Sequence, residues 1–510
     1  MLKKSLQAKV MDAQIVEAAR KHALANAIEF GKASAGAVAG KVIAEVPSAK
    51  GDIRATMKGV GEQVAAVNKL SRGEMLAQVK EYSFVEKPAE GERKLSLQGC
   101  EEGKVVTRFP PEPNGYPHIG HAKAAWLNRQ LANDWGGTCI LRFDDTNPEA
   151  EREEFANAII YDLKWLGIEF DGEVVYASDL MPEFYNRCEQ LLAAGGAYAC
   201  SCGEEAVKLS REKGVACNCR SRSAKENLGV WGAMREGRTA KGGAIIRFKG
   251  DLKSANTAMR DPTLFRVLDA AHWRQGTKFK AWPTYDFEAA VADSVTGVTH
   301  ALRSKEYELR DELYAALLEC LGMRKPVVYG FSRLALKGTA LSKRLVKPLI
   351  ETGRVSGWDD VRLPTIAGLR RRGILPQVIR EFVLSFGLSK VESRPDWEAL
   401  LSLNRKALDP VAERKFFVER PVKLAVNGLP NKEVVVRNHP TEGKGTRKIS
   451  FTGSVFVQES DLQEGGVLRL KELGVVNVKR AGEWWVAEAG DQGCRAAVVQ
   501  WVPAQEGAFA

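Results

Sequence analysis

Between Arg108 and Lys123 the chain reads Arg-Phe-Pro-Pro-Glu-Pro-Asn-Gly-Tyr-Pro-His-Ile-Gly-His-Ala-Lys, which puts two histidines, two glycines, four prolines and a flanking arginine into one short loop. Phosphate binding is the chemistry this composition suits. Residues 104–109 (KVVTRF) predict a strand and Gly120 to Asp134 (GHAKAAWLNRQLAND) a helix, so the loop lies on a strand-to-helix turn where free backbone N–H groups attract an anion. Prolines stiffen the approach and glycines let a ligand come close. A second cationic loop, Leu336-Lys-Gly-Thr-Ala-Leu-Ser-Lys-Arg344, follows more than 200 positions later. Its paired cations beside a hydroxyl suit the charge that develops as a triphosphate breaks. A third group is Cys200, Cys202, Cys217 and Cys219, two Cys-x-Cys pairs separated by fourteen residues. Four thiolates at that spacing suit tetrahedral zinc, and with no evident histidine or open ligand position the ion is expected to be structural. Four reduced thiols in a loop that holds no metal are the competing reading.

These groups need a scaffold, and the apolar pattern supplies one. VVTRF, TCILRF at Thr138 to Phe143, a helical stretch from Glu149 to Leu166, and EVVYAS at Glu173 to Ser178 alternate strand and helix. The alternation breaks from about Tyr198 to Trp282 and resumes with VTHALRS, a helix over Tyr307 to Leu321, and VVYGFSRL. This predicts a doubly wound parallel α/β domain in two halves, 100–197 and 283–350, separated by an insertion over 198–282 that carries the cysteines. Before it, Val10, Ile15, Ala19, Leu24 and Ile28 recur at helical spacing, so 1–90 is expected to be a helical appendage, with a polar linker at Glu86 to Lys94. Residues 351–418 read as helical and basic. From 419 to 510, short runs such as KLAV, KEVVVRN, GSVFVQ and EWWVAE between turn residues predict a small β-barrel.

The 510 residues suffice for several domains, and 45% hydrophobic with 27% charged residues describes an ordinary soluble chain. There is no apolar run of bilayer length and no signal-peptide core, so a membrane partner is excluded and a cytoplasmic location expected. The net charge is +11, and its distribution matters more than its size. From Arg333 to Lys448 there are 24 Lys and Arg against 12 Asp and Glu, while the remainder is nearly neutral. One basic segment on a neutral body is expected of a protein that grips a polyanion, the alternative being a solvated face.

Taken together, RFPPEPNGYPHIGHAKA, LRFDDTNP at Leu141 to Pro148, WPTYDF at Trp282 to Phe287, GVTHALRSKEY at Gly297 to Tyr307, SRL followed by LSKR, and GWDDVRLPTIAGLRRRG at Gly357 to Gly373 resemble the glutamyl and glutaminyl family of class I aminoacyl-tRNA synthetases. The likeness runs from about Val105 to Phe417, and HALANAIEFGKASAGAVAGKVIAE at His22 to Glu45 is similar to the helical appendage of the archaeal glutamate enzymes. The resemblance implies a multidomain α/β enzyme: a Rossmann-like catalytic domain, an insertion that guides the tRNA acceptor end, a helical region on the tRNA stem and a C-terminal β-barrel for the anticodon. It implies ATP with Mg2+, L-glutamate and tRNA(Glu) as substrates, tRNA(Gln) as a further acceptor, and a monomer.

Roles follow where the motifs match. The resemblance assigns ATP to Pro110, Asn114, Gly115, His118, Gly120, His121, Leu341, Ser342, Lys343 and Arg344, with His118, His121 and Lys343 catalytic. It assigns the amino acid to Arg108, at the carboxylate, Asp144, at the ammonium, Tyr285 and Arg303. Arg303 decides between substrates, because glutamate enzymes of the family carry an arginine there and glutamine enzymes a small uncharged residue. A γ-carboxylate needs a cation and an amide does not. The alternative is that Arg303 points to solvent or to a helix carboxylate such as Glu306. Arg370, Arg371 and Arg372 are expected at the tRNA backbone, or paired with Asp359 or Asp360.

Two features depart from the pattern. The second signature loop lacks a lysine at its first position, which leaves its phosphate contact to Lys343 and Arg344. About 90 residues follow Val418, where this branch usually carries two barrels, so the anticodon barrel is expected to be incomplete. A glutaminyl-tRNA synthetase and a catalytically inactive tRNA-binding relative are the alternatives to glutamate–tRNA ligation.

Overall fold

The computed structural model describes residues 2–79, 81–82, 94–339, 343–440 and 443–504. Met1–Arg93 and Lys94–Ala510 form separate compact units. The first is four helices: α1 (Leu2–Phe30), α2 (Ala35–Glu45), α3 (Ile53–Val67) and α4 (Arg72–Val79). Small and β-branched residues let these helices pack closely, with Ala19, Ala23, Leu24, Val38, Val42, Val60 and Val67 at or near full burial. The Asp52 side chain caps α3 by accepting from the Ala55 N–H at 2.9 Å. Among the described residues no helix is long and apolar enough to cross a membrane.

The second unit opens with β1 (Val106–Phe109), α5 (Ile119–Asp134), β2 (Thr138–Phe143), α6 (Glu153–Trp165), β3 (Val175–Tyr176) and α7 (Met181–Ala193). An inserted segment holds β4 (Ala197–Cys200), α8 (Glu204–Lys213), α9 (Ala224–Arg235), β5 (Ile245–Phe248), β6 (Thr263–Val267) and β7 (Ala281–Pro283). Then come α10 (Tyr285–Val295), β8 (His300–Ser304), α11 (Asp311–Cys320) and β9 (Val327–Phe331). β1, β2 and β3 pair in parallel, as do β8 and β9. The two ladders meet where the Thr299 N–H donates to the Val106 carbonyl and the Val106 N–H to Thr299 Oγ1, both at 2.8 Å. The strand order is therefore β3-β2-β1-β8-β9, with the chain reversing direction of travel at β1 and β8. Ligands collect at such a switch point, beyond the carboxyl ends of the strands. The insertion forms its own antiparallel sheet, β4-β5-β6-β7.

Helices α12 (Lys343–Glu351), α13 (Ile366–Arg371), α14 (Pro376–Leu384) and α15 (Trp397–Leu408) follow. Ile366, Leu369, Val378, Ile379 and Val383 join Ile119, Leu141, Phe143 and Leu163 in one core, so this helical region is packed directly against α5, α6 and β2. The C-terminal strands are β10 (Pro421–Asn427), β11 (Lys432–Arg437), β12 (Thr446–Phe451), β13 (Ser454–Gln458), β14 (Val467–Leu470), β15 (Gly474–Ala481), β16 (Trp484–Ala489), β17 (Ala497–Val499) and β18 (Val502–Pro503). Seven of them make a sheet of order β17-β14-β15-β16-β10-β13-β18, and β11 and β12 form a separate hairpin. β17 and β18 are the opposite edges of that sheet, yet only Gln500 and Trp501 separate them in the chain. The sheet must therefore curl round until its edges approach, with Trp501 fully buried inside the curve. The small barrel expected here takes the form of a curled half-barrel.

Candidate functional site

His118 is the N-cap of α5, in extended backbone geometry. Its Nδ1 accepts from the Gly120 N–H at 3.1 Å, and the Nδ1 of His121 accepts from the His118 N–H at 3.1 Å. The two rings lie 4.0 Å apart. Each imidazole thus uses Nδ1 as an acceptor, which fixes the neutral tautomer with its proton on Nε2. Burial holds the pKa of His118 well below the ordinary value and brings His121 down to about 4, the Arg333 charge adding to both. At neutral pH the pair is therefore two uncharged N–H donors at a helix N-terminus. Gly120 is required between them, because a Cβ there would lie 2.8 Å from Cε1 of His118.

The loop is clamped from the helical region that follows the second half of the domain. The Ile119 N–H donates to the Pro364 carbonyl and the Ile366 N–H to the Pro117 carbonyl, both at 3.0 Å. On α5, the fully buried Lys123 donates through Nζ to the Ser332 carbonyl at 2.7 Å and to Ser332 Oγ at 3.2 Å. Burial takes its pKa down to about 8. Ser332 precedes the second cationic loop and Pro364 follows α12, so the histidine helix is fastened to the chain on both sides of that segment. Leu341 and Ser342 lie outside the described residues, as does the side chain of Lys343; Arg344 is exposed on α12.

Beneath the histidines lies a buried ionic network. Arg108 donates through Nε and Nη2 to the two oxygens of Asp293, at 2.8 and 3.2 Å, and through Nη1 to the Leu302 carbonyl at 2.7 Å. Arg142 donates to Asp293 through Nη1 at 2.7 Å and to Asp144 through Nε and Nη2 at 2.7 and 3.3 Å. Tyr314 adds its hydroxyl to Asp293 at 3.0 Å. Burial works to raise the Asp293 pKa, but the two guanidinium charges outweigh it and hold the carboxyl at about 2. Two cations and two anions balance in a space closed to water, so the network is stable as a set and costly to break singly.

Arg303, at the end of β8, is only 7% exposed. It lies 4.6 Å from the Tyr314 ring centre and its Nη2 is 3.1 Å from Oδ1 of Asp311, yet Nε and Nη2 make no hydrogen bond. Glu306 pairs with Arg333, and the helix carboxylate beside Arg303 is Asp311, the first residue of α11. Tyr285 opens α10 against Tyr307, ring centres 4.6 Å apart. Burial raises its hydroxyl pKa to about 12 against the opposing charges of Arg303 and Arg108, with Asp144 also within electrostatic reach. Tyr285 therefore lies within electrostatic reach of the other three residues expected to hold the amino acid.

Asp293 and Arg142, which link Arg108 to Asp144, were given no role by sequence reasoning. Asp293 had a signal, being the one carboxylate in the apolar run Ala289-Ala-Val-Ala-Asp293. Several further buried acids flank Asp144. Asp145 accepts from the Ser178 N–H and hydroxyl, both at 2.8 Å, Glu151 accepts from the Asn147 N–H, and Glu288 pairs with the Thr146 hydroxyl.

Among the cysteines, Cys200 Sγ lies 3.9 Å from Cys217 Sγ and Cys202 Sγ 3.9 Å from Cys219 Sγ, and all four sulfurs are within 4.8 Å of one another. A tetrahedral zinc with bonds of about 2.3 Å separates its sulfurs by about 3.8 Å, so the donor set fits the ion. Of the three arginines, Arg370 is half-buried, donating to Asp162 at 2.7 Å and lying over Tyr161. Arg371 pairs with Asp359 at 3.1 Å, and Arg372 bonds the Val361 carbonyl while lying over Trp397.

A parallel sheet of this order, with the histidine loop at its switch point and a buried ionic network among its strands and helices, has the architecture of a nucleotide-binding α/β enzyme. Residues 104–410 match the family described as class I tRNA synthetases (E and Q), catalytic domain, and residues 412–487 match the anticodon-binding domain of the same class. A glutamate–tRNA ligase of Nitrosopumilus maritimus is 44% identical over 504 residues, covering 97% of this chain and 88% of the relative. One from Cenarchaeum symbiosum is 42% identical over 468 residues, covering 91% and 83%. A crystal structure of glutamate-tRNA synthetase from Elizabethkingia anophelis aligns with a TM-score of 0.43 at 22% identity, over 60% of this chain and 70% of that one. The chain belongs to the class I glutamyl and glutaminyl tRNA synthetase family, in its archaeal-type branch.

Proposed function

We propose that the chain is a glutamate–tRNA ligase, which activates L-glutamate with ATP and passes it to the 3′ end of tRNA(Glu). The observation that carries the choice of amino acid is Arg303, a buried guanidinium beside Tyr285 with Nε and Nη2 free of hydrogen bonds. Arg303 already forms an ion pair with Asp311 at 3.1 Å, and a γ-carboxylate would accept the hydrogen bonds that this pair leaves unmade. Glutamine brings an amide whose N–H groups cannot pair with a cation, which costs on the order of a few kcal/mol in a buried site.

In the first step a glutamate α-carboxylate oxygen attacks the α-phosphorus of ATP, a new P–O bond forms and the bond to pyrophosphate breaks. The carboxylate is already ionised, so no general base is needed and the protein supplies position and charge. Neutral His118 and His121 direct their Nε2–H groups at the phosphates, beside Pro110, Asn114, Gly115 and Gly120. Leu341, Ser342, Lys343 and Arg344 contact the ATP, Lys343 neutralising the pyrophosphate as it leaves. Asp144 takes the α-ammonium and Arg108 the carboxylate, the Arg142–Asp293 pair holding both in register. In the second step a terminal ribose hydroxyl of the tRNA attacks the glutamyl carbonyl and AMP leaves.

Cys200, Cys202, Cys217 and Cys219 would hold Zn2+, which would cross-link the insertion that guides the acceptor end. Arg371 and Arg372 meet the tRNA backbone, Arg370 anchoring their helix, and the half-barrel takes the anticodon. The work is done in the cytoplasm. Charging assays with purified tRNA(Glu) and tRNA(Gln) test the proposal: glutamate transfer to tRNA(Glu) is expected, and transfer of glutamine in its place would refute it. Glutamate transfer to tRNA(Gln) as well would make the enzyme non-discriminating.

A further inference from the structure

Within the insertion, Glu204, Lys208 and Arg211 recur at helical spacing along α8 and share one of its faces. That face, together with the turn Thr257–Met259, Arg260 and Thr263, lines an open cleft of about 470 Å³. A space of that size is a ligand site in its dimensions, not a packing gap. Its two walls are tied by their arginines. Arg211 donates through Nη2 to the Thr257 carbonyl at 3.1 Å, and Arg260 donates through Nη1 to the Arg211 carbonyl at 3.4 Å and through Nε to the Ser254 carbonyl at 2.7 Å.

Both guanidinium groups are half-buried, yet among the described residues neither has a carboxylate partner. Backbone carbonyls take one donor of Arg211 and two of Arg260, a minority of the N–H groups that a guanidinium carries. Burial lowers the Arg211 pKa, and the charges of Arg247 and Arg310 add to this and outweigh those of Asp286 and Asp261. The acids on the walls offset little of the positive excess. Glu212 lies 4.0 Å from the Lys208 ammonium, and Glu204 sits in the first turn of α8, where the helix dipole favours a negative charge. Cations gathered at one cleft repel one another, and an anion between them removes that cost. The planar fork of a guanidinium matches phosphate. Because the insertion is the module set at the acceptor end, the phosphate that reaches this cleft belongs to RNA.

We propose that the cleft between α8 and residues 257–263 binds a backbone phosphate of the tRNA acceptor arm, with Arg211 and Arg260 as its donors and Lys208 at its rim. This rests on the reading of the chain as a tRNA ligase. Phosphate contacts position a nucleic acid without reading its sequence, so the cleft sets where the acceptor arm lies and not which tRNA is chosen.

The test uses the full chain as wild type, Arg211→Gln, Arg260→Gln, Arg211→Lys and Lys208→Gln. Affinity for tRNA(Glu) is measured as a function of salt concentration, and KM values for tRNA, glutamate and ATP are measured alongside. Arg211→Gln and Arg260→Gln are each expected to bind tRNA about three- to ten-fold more weakly, with the logarithmic salt slope reduced by about 1. Their KM for tRNA is expected to rise while those for glutamate and ATP stay put. Arg211→Lys keeps the charge and is expected to keep the wild-type slope. A slope reduced as far as in Arg211→Gln would show that the arginine acts through its Thr257 bond, and would overturn the proposal. Should a glutamine variant of either arginine fail to fold, Lys208→Gln decides, because that ammonium is exposed: a reduced slope supports the site and an unchanged slope overturns it. Wild-type affinity and slope in all the glutamine variants, as for a cleft that takes free phosphate only, would overturn the proposal. A wild type that charges no tRNA would instead overturn the ligase reading beneath it.

Discussion

Asp293 grips Arg108 with both carboxylate oxygens, at 2.8 and 3.2 Å, across nearly two hundred residues of sequence and through the centre of the domain. The same carboxylate holds Arg142, which holds Asp144, so one aspartate on α10 aligns the residues assigned to both ends of the amino acid backbone. Asp293→Ala leaves two buried guanidinium groups short of a partner and is expected to cost about 3–5 kcal/mol of stability. Asp293→Asn keeps the shape and loses the charge, so it is expected to fold, with a raised KM for glutamate and little change in KM for ATP. Urea denaturation and steady-state kinetics check both. Equal rises in the two KM values would show that Asp293 does not act on the amino acid side.

The tautomer of the histidine pair has its own consequence. With Nδ1 of each ring accepting from the backbone and the pKa values depressed by burial, neither residue titrates in the physiological range. The rate of adenylate formation is expected to show no histidine limb between about pH 6 and 8, where an unperturbed imidazole changes charge. His121→Ala is expected to lower kcat by roughly a hundred-fold or more, as for loss of one preorganised donor, with a smaller change in KM for glutamate. Rapid-mixing kinetics across this range check both, and an inflection near 6.5 that vanishes in His121→Ala would contradict the assignment.

Gly120→Ala is a sharper probe of the same geometry. The added Cβ would sit 2.8 Å from Cε1 of His118 and displace the ring while leaving the helix intact. Its effect on kcat is expected to approach that of removing His118, with a loss of stability of about 1 kcal/mol or less. A variant with wild-type kcat would mean that the position of the His118 ring is unimportant.

The motif residues were legible because their chemistry is local. The Arg108–Lys123 loop carries its turn residues, its cap and its phosphate-binding character in sixteen consecutive positions, and strand β2 falls on Thr138–Phe143 as its β-branched and apolar pattern predicts. The network around Asp293 was hidden, because its partners come from β1, β2, α10 and α11, and only the fold brings them together. Arg370 shows the same limit. Three adjacent arginines suggest a tRNA surface, but the helix turns one of them inward onto Asp162 and Tyr161. The four cysteines could be grouped by spacing alone, because both Cys-x-Cys pairs fall within twenty residues.

The buried acids near Asp144 set a pH dependence of stability. Burial pushes the Asp145 carboxyl up to about 7 and the Glu151 carboxyl up to about 8. Raised pKa values mean that the folded chain holds more protons than the unfolded chain above pH ~4.3, so these groups take stability away as pH rises through their folded values. The depressed histidines act in the opposite direction, but only below about 6.5. Between pH 6.5 and 8 the acids therefore act alone of these two sets. Glu151→Gln is expected to gain on the order of 1 kcal/mol relative to wild type over that interval. Denaturation curves at the two pH values check this, and a difference that does not change with pH would show that Glu151 is ionised throughout.

The central claim is that Arg303 selects glutamate for activation. ATP–pyrophosphate exchange in the presence of tRNA, with glutamate and with glutamine, on wild type and Arg303→Ala, tests it most directly. Wild type is expected to exchange with glutamate and hardly with glutamine, and Arg303→Ala to lose glutamate activity by at least a hundred-fold, about 3 kcal/mol, while the preference narrows. Exchange that is unchanged in Arg303→Ala, or wild-type exchange that follows glutamine, would contradict the account.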